Sequence, residues 1–125
     1  MILVDTSIWI DYFKSTPGSA AESLIAHLEN EQVVALSVVF GELLQGVRDS
    51  REEKIILDHW RNLPKVDESD LFIEAGKLSY RHKLYSAGVG LIDCYIIAAA
   101  KTHRLDILSL DKKLLNAFQL VKDQK

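Results

Sequence analysis

Four acidic residues stand where a charge is costly. Asp5 follows the apolar run Met1-Ile2-Leu3-Val4, and Asp111 follows the run that ends in Ser109-Leu110. Glu42 falls on the side of a helical pattern shared with Val38, Val39, Leu43 and Gly46, and Asp93 has Ile96, Ile97 and Ala100 as its helical neighbours. A carboxylate in apolar surroundings needs a partner to offset its desolvation. Each of the four also has an ordinary structural role open to it. Asp5 and Asp111 fit as helix N-caps, worth about 1 kcal/mol each, Asp93 complements a helix dipole, and Glu42 fits as a satisfied buried acid. Were the four to converge, they would repel one another and some would protonate unless cations neutralised them. Two divalent ions balance four carboxylates. An all-oxygen donor set, with no cysteine beside it and no paired histidines, selects Mg²⁺ or Mn²⁺ over zinc. Two such ions about 3.5–4 Å apart suit in-line hydrolysis of a phosphodiester.

The elements that must position these acids read as an alternation of strands and helices. Met1 to Val4 is too short for a helix and apolar throughout, the mark of a strand buried on both faces that ends at Asp5. Ile8, Trp9, Tyr12 and Phe13 make the bulky face of a short helix that stops at Ser15-Thr16-Pro17-Gly18. Ser19-Ala20-Ala21-Glu22 and Ser50-Arg51-Glu52-Glu53 both read as capping boxes opening helices. Between them, Gln32 to Leu36 reads as a strand and Ser37 as the cap of the helix that carries Glu42, where Gly46 suggests a close approach to the backbone. Ile56, Trp60 and Leu63 face inward on the next helix, which Pro64 ends. Lys65 to Asp67 is at most a brief edge strand. A long helix from Ser69 carries Leu71, Ala75, Leu78, His82 and Tyr85, and is followed by the flexible Ser86 to Gly90. Leu91 to His103, apolar nearly all round, is a central helix. Asp106 to Leu110 is a strand, Leu114, Leu115 and Phe118 lie on a short helix, and Leu120-Val121 could add a last strand. This pattern predicts one α/β domain over residues 1–125, three layers deep around a mostly parallel sheet. In such sheets, ligands bind at the carboxyl ends of the strands.

Composition limits the alternatives. With 125 residues, 48% hydrophobic and 26% charged, the chain has the make-up of one globular domain. Fifteen Lys and Arg against 18 Asp and Glu give a net charge of −3, which excludes a global basic field for nucleic acid. Contact with nucleic acid would therefore be local or bridged by metal ions, with Lys112, Lys113, Arg48 and Arg81-His82-Lys83 as candidate phosphate contacts, though solvated lysines and helix-end cations account better for all of them. Cys94 is the only cysteine, so it allows no internal disulfide and suits a core position. His27, His59, His82 and His103 show no paired ligand spacing. The start of the chain has no cationic leader and no run approaches the roughly 18 apolar residues of a membrane span, from which a cytoplasmic location is expected.

Taken in order, Met1 to Phe13 with Asp5-Thr6-Ser7, Glu42 with Gly46, Gly90 to Ala100 around Asp93, and Ser109-Leu110-Asp111 resemble the PIN-domain ribonucleases, specifically their VapC toxin branch. The resemblance covers almost the whole chain. It implies a PIN-like α/β/α fold and a Mg²⁺- or Mn²⁺-dependent endoribonuclease whose acidic cluster is Asp5, Glu42, Asp93 and Asp111, supported by Ser109. It further implies a homodimer and a cognate antitoxin whose tail fills a groove beside the site. Trp9, Tyr12, Phe13, Leu44 and Val47 are candidates for that groove or for core. Many relatives carry an acid or Asn, then Phe, where this chain has Lys113 and Leu114, so a fifth acidic contribution is not expected. Asp11 fits the motif but is expected to face solvent and is left out of the metal set. Two other classes are open on the residues: a phosphoacceptor domain, receiver-like or haloacid-dehalogenase-like, using Asp5, and a non-catalytic interaction module in which the acids only cap helices. The phosphatase pattern wants a second acid where Ser7 stands.

Overall fold

The structure is a computed structural model and describes residues 1–14 and 18–123. Its centre is a three-stranded sheet in the order β2-β1-β3, made by β1 (Ile2–Val4), β2 (Val33–Val34) and β3 (Asp106–Leu108). Both pairings are parallel: Ile2 and Leu3 lie beside Val33 and Val34 on one side, and Ile2, Leu3 and Val4 beside Asp106, Ile107 and Leu108 on the other. Successive strand side chains point to opposite faces. Leu3 and Val4 are 1% and 3% exposed, so both faces of β1 are covered and the architecture is the three-layer α/β/α arrangement. Parallel pairing brings all three carboxyl ends to one edge, where Asp5, Ala35 to Ser37 and Ser109 to Asp111 emerge. The Asp5 amide donates to the Leu108 carbonyl at 2.9 Å, fastening the first exit to the last.

Among the described residues, seven helices surround the sheet: α1 (Thr6–Phe13), α2 (Ser19–Glu29), α3 (Ser37–Gln45), α4 (Ser50–Asn62), α5 (Leu71–Arg81), α6 (Leu91–His103) and α7 (Lys112–Asp123). The all-round apolar α6 is the central helix: Cys94, Ile96, Ile97, Ala98, Ala99 and Ala100 are all buried, and α5, α7 and α3 pack against it. Among the described residues, no helix is long and apolar enough to cross a membrane.

Several local expectations shift. The second capping box is displaced by one residue, because Asp49 caps α4 by accepting from the Glu52 amide at 2.9 Å, while Glu52 reaches back to the Arg48 amide at 2.8 Å. Gly18 takes the cap position ahead of α2, and the breaker residues 15–17 lie outside the described residues. The second strand contracts to Val33–Val34 and the third ends at Leu108. Lys65 makes a single parallel bridge to Ala35, short of a strand. Leu120-Val121 belongs to α7, because the apolar period through Leu114, Ala117, Phe118 and Val121 is helical and all four are buried. The long helix stops at Arg81, which leaves Tyr85 outside it and 85% exposed. Gly46 forms the α3 C-cap, and an added Cβ would meet only its own helix carbonyls at 3.7 and 4.0 Å, so no close approach requires glycine there.

Candidate functional site

Asp5 is the only charged side chain buried among the described residues, at 8% exposure. Its backbone is extended at the end of β1, which makes it the N-cap of α1. Oδ1 accepts from the Thr6 amide at 2.7 Å, and Oδ2 accepts from the Ser109 hydroxyl at 2.7 Å and the Ser7 hydroxyl at 3.4 Å. Three bonds on a carboxylate with about four lone-pair sites leave room for one more ligand. Ser109, 104 residues away in sequence, is present because β3 lies parallel beside β1. Its Oγ also accepts from the Asp111 amide at 2.9 Å, so one hydroxyl orders two of the acids. Asp111 caps α7, its Oδ1 accepting from the Lys113 and Leu114 amides at 2.9 and 3.2 Å. The capping roles of Asp5 and Asp111 are therefore real, and Asp111 remains exposed.

Glu42 differs from expectation. It is exposed on α3 rather than set among apolar side chains, and its Oε1 accepts the Thr6 hydroxyl at 2.9 Å. That bond carries Glu42 to the residue next to Asp5. Asp93 lies in the first turn of α6 and is half-buried. Its carboxyl is raised to about 6, first by burial and then by the negative charges of Asp111, Asp5 and Glu42. Four acids drawn from positions 5, 42, 93 and 111 thus share one electrostatic basin at the carboxyl edge of the sheet.

Among the described residues, no group of three or more His, Cys, Asp or Glu side chains is placed to hold a metal ion together. An open basin suits an ion that keeps several of its waters and takes only one or two carboxylates together with substrate oxygens, as Mg²⁺ does. The donor chemistry fits a hard divalent cation: every available ligand is oxygen, and burial together with the neighbouring negative charges raises the Asp93 carboxyl to about 6. Three of the four histidines are engaged by other partners. His27 meets Gln32, His59 meets the Ile55 carbonyl among the rings of Trp9, Tyr12 and Phe13, and His103 meets the Asp67 carbonyl.

Of the cationic candidates, Arg48 is engaged rather than free, paired with Glu52 at 2.8 Å. Lys112 and Lys113 are exposed in the first turn after Asp111. Beside Glu42 opens a groove of about 490 Å³ whose apolar lining includes Ile10, Phe13, Leu43, Val47 and Ile55, with Lys14 and Arg48 at its rim. Of the groove-or-core candidates, Phe13 and Val47 line this groove, whereas Trp9 is core at 1% exposure. Sequence reasoning missed Ile10, Ile55 and the Thr6 tie to Glu42. The 40% exposure of both isoleucines comes from packing between α1, α3 and α4, which no local pattern records.

Because Ser109 touches Asp5 and Asp111 but supplies no charge, Ser109→Ala is expected to leave the fold intact and to weaken Mn²⁺ binding by about 10- to 100-fold, the usual cost of losing a hydrogen bond that orients a ligand. Isothermal titration of Mn²⁺ checks this.

The PIN-domain family model matches residues 2–118. Ribonuclease VapC19 of Mycobacterium tuberculosis is 30% identical over 111 residues, 87% of each chain. VapC ribonuclease Mb1587 of Mycobacterium bovis is 28% identical over 117 residues, covering 89% of this chain and 87% of its own. Among solved structures, FitAcB from Neisseria gonorrhoeae superposes with a TM-score of 0.59 at 19% identity, covering 95% of this chain and 94% of that one, a likeness of fold. With the acids gathered at the sheet edge and nearly the whole chain matched, this protein belongs to the PIN-domain family, in its VapC branch.

Proposed function

We propose that the chain is a Mg²⁺- or Mn²⁺-dependent endoribonuclease, the toxin of a VapBC-type toxin–antitoxin pair. The observation that carries this is the shared field of Asp5, Glu42 and Asp111 on Asp93 in a chain whose relatives are named ribonucleases. Asp5, Glu42, Asp93 and Asp111 would hold the metal, with Ser109 and Thr6 holding two of these carboxylates in place. When bound, the divalent ion makes water more acidic at neutral pH and offsets the charge that grows on the phosphoryl oxygens. Asp93, whose carboxyl is raised to about 6, would hold the cation in its deprotonated form. Lys112 and Lys113, exposed beside Asp111, attract the RNA backbone to an otherwise acidic edge. A phosphoacceptor role for Asp5 has no comparable support, since Asp5 is nearly buried and already accepts three bonds.

The test is cleavage of single-stranded RNA by the purified chain with Mg²⁺ or Mn²⁺, set against EDTA and against acetyl phosphate labelling. Cleavage that stops in EDTA supports the proposal. Metal-independent labelling of Asp5 without cleavage would overturn it.

The proposal extends to two partners. The groove beside Glu42 suits an apolar antitoxin segment, because a peptide lying there also covers the site. Ile55→Glu, on the outer wall at α4, is expected to weaken capture of the cognate antitoxin by at least about 30-fold, or about 2 kcal/mol, while RNA cleavage persists. Co-purification and a cleavage assay measure the two effects. The homodimer would use α5, where Phe72, Ile73 and Tyr80 stand 57%, 66% and 85% exposed on one stripe.

A further inference from the structure

We infer that Glu68 is a positioning residue for this site, tying the start of α3 to α6 and thereby setting the separation of Glu42 from Asp93. The inference rests on the nuclease proposal above. Ser37 is the first residue of α3, and the preceding cap residue, Leu36, has no side chain able to satisfy the free amides. Glu68, 31 residues on, does so instead. Its Oε2 accepts the Ser37 amide at 3.0 Å and its Oε1 accepts the Ser37 hydroxyl at 2.6 Å. A cap needs no more than this. Yet Oε1 also accepts the Tyr95 hydroxyl at 2.5 Å, from a different helix.

That second arm converts a cap into a cross-link. Tyr95 lies two residues beyond Asp93 on α6, and Glu42 lies five residues beyond Ser37 on α3, about 7–8 Å along a rigid helix at 1.5 Å per residue. A slip of α3 against α6 therefore moves Glu42 relative to Asp93 by a similar amount. The turn that carries Glu68 is itself fastened. The Asp67 carbonyl meets His103 Nε2 at 2.7 Å at the far end of α6, and Asp67 Oδ1 accepts the Ser69 amide at 2.9 Å. So α6 is gripped at both Tyr95 and His103, while α3 is gripped at its first residue. At the other end, the Glu42 carboxylate accepts the Thr6 hydroxyl.

Tyr95→Phe removes the α6 arm with almost no change of volume, and Glu68→Gln weakens both arms. Leu28→Ala, on a helix that bears none of the acids, supplies a destabilised control. Mn²⁺ affinity by isothermal titration, and amide exchange of α3 in EDTA, are measured on all four proteins. Both test variants are expected to exchange α3 amides faster and to bind Mn²⁺ about 3- to 10-fold more weakly, less than the loss for a residue bonded to a ligand directly. The control should lose thermal stability and keep its Mn²⁺ affinity. Faster exchange with unchanged Mn²⁺ affinity in both test variants would reduce Glu68 to a helix cap and overturn the inference. Failure of the unmodified chain to bind Mn²⁺ would overturn the nuclease proposal and the inference with it, and that result is recognisable from the unmodified protein alone.

Discussion

Asp93→Asn is expected to lower RNA cleavage by about 10³-fold or more, since metal charge stabilisation supplies several kcal/mol of the barrier and about 1.4 kcal/mol corresponds to a factor of ten. The same substitution is expected to make the metal-free protein more stable than the unmodified chain. Asn occupies nearly the same volume and keeps the neighbours of Asp93, but it removes a charge that burial and three other acids disfavour. Asp93 is only half-buried, so solvent screening reduces the gain to about 1 kcal/mol at neutral pH. Activity falling while stability in EDTA rises is the signature of a residue kept for chemistry. A merely capping or core role would move both downward. Thermal melts in EDTA and a single-turnover cleavage assay on the two proteins decide between them.

A second large effect is expected from pH and metal together. The Asp93 carboxyl sits at about 6 in the folded chain, above its ordinary value of 3.8. A raised acid means that the folded state holds its proton more firmly than the unfolded state does. The Asp93 contribution to stability in EDTA should therefore be greatest below about pH 4, fall as pH rises from about 4 to about 6, and level off above that. In Asp93→Asn this component is gone. Divalent metal reverses the trend, because cation and proton compete for the same carboxylate. At 100 times its dissociation constant, Mn²⁺ adds about 2.7 kcal/mol of stability. That gain should shrink as pH drops through 6, and it should be much smaller in Asp93→Asn. Equal stabilisation of both proteins by Mn²⁺ would place the metal elsewhere.

The basin also shows why an acid's two roles, capping and ligation, are hard to separate from local sequence. Asp5 and Asp111 each do what an N-cap does, with bonds of 2.7 to 3.2 Å to the first amides of α1 and α7. What distinguishes them from ordinary caps is the company they keep. The parallel sheet places Ser109 against Asp5, and the Ser109 hydroxyl then receives the Asp111 amide. Glu42 reached the same company by a different route. The helical pattern placed it on a core-facing side, whereas α3 turns it outward and Thr6 holds it at the mouth of the groove.

What the sequence by itself determined is the order of elements, the central helix Leu91–His103, the buried first strand and the identity of the acids at the sheet's carboxyl edge. These are written in hydrophobic period, in run length and in the placing of a charge after an apolar run, all of which act over a few neighbouring residues. Only the tertiary structure decided that Glu42 is exposed, that Gly46 needs no glycine, that α7 continues through Leu120-Val121, and that Ile10 and Ile55 line one groove. It alone joined Thr6 to Glu42 and Glu68 to Ser37 and Tyr95. The reason is physical. A hydrogen bond between residues some 30 to 100 positions apart depends on how helices pack against a sheet, and that depends on the sum of many weak apolar contacts rather than on any local pattern of residues.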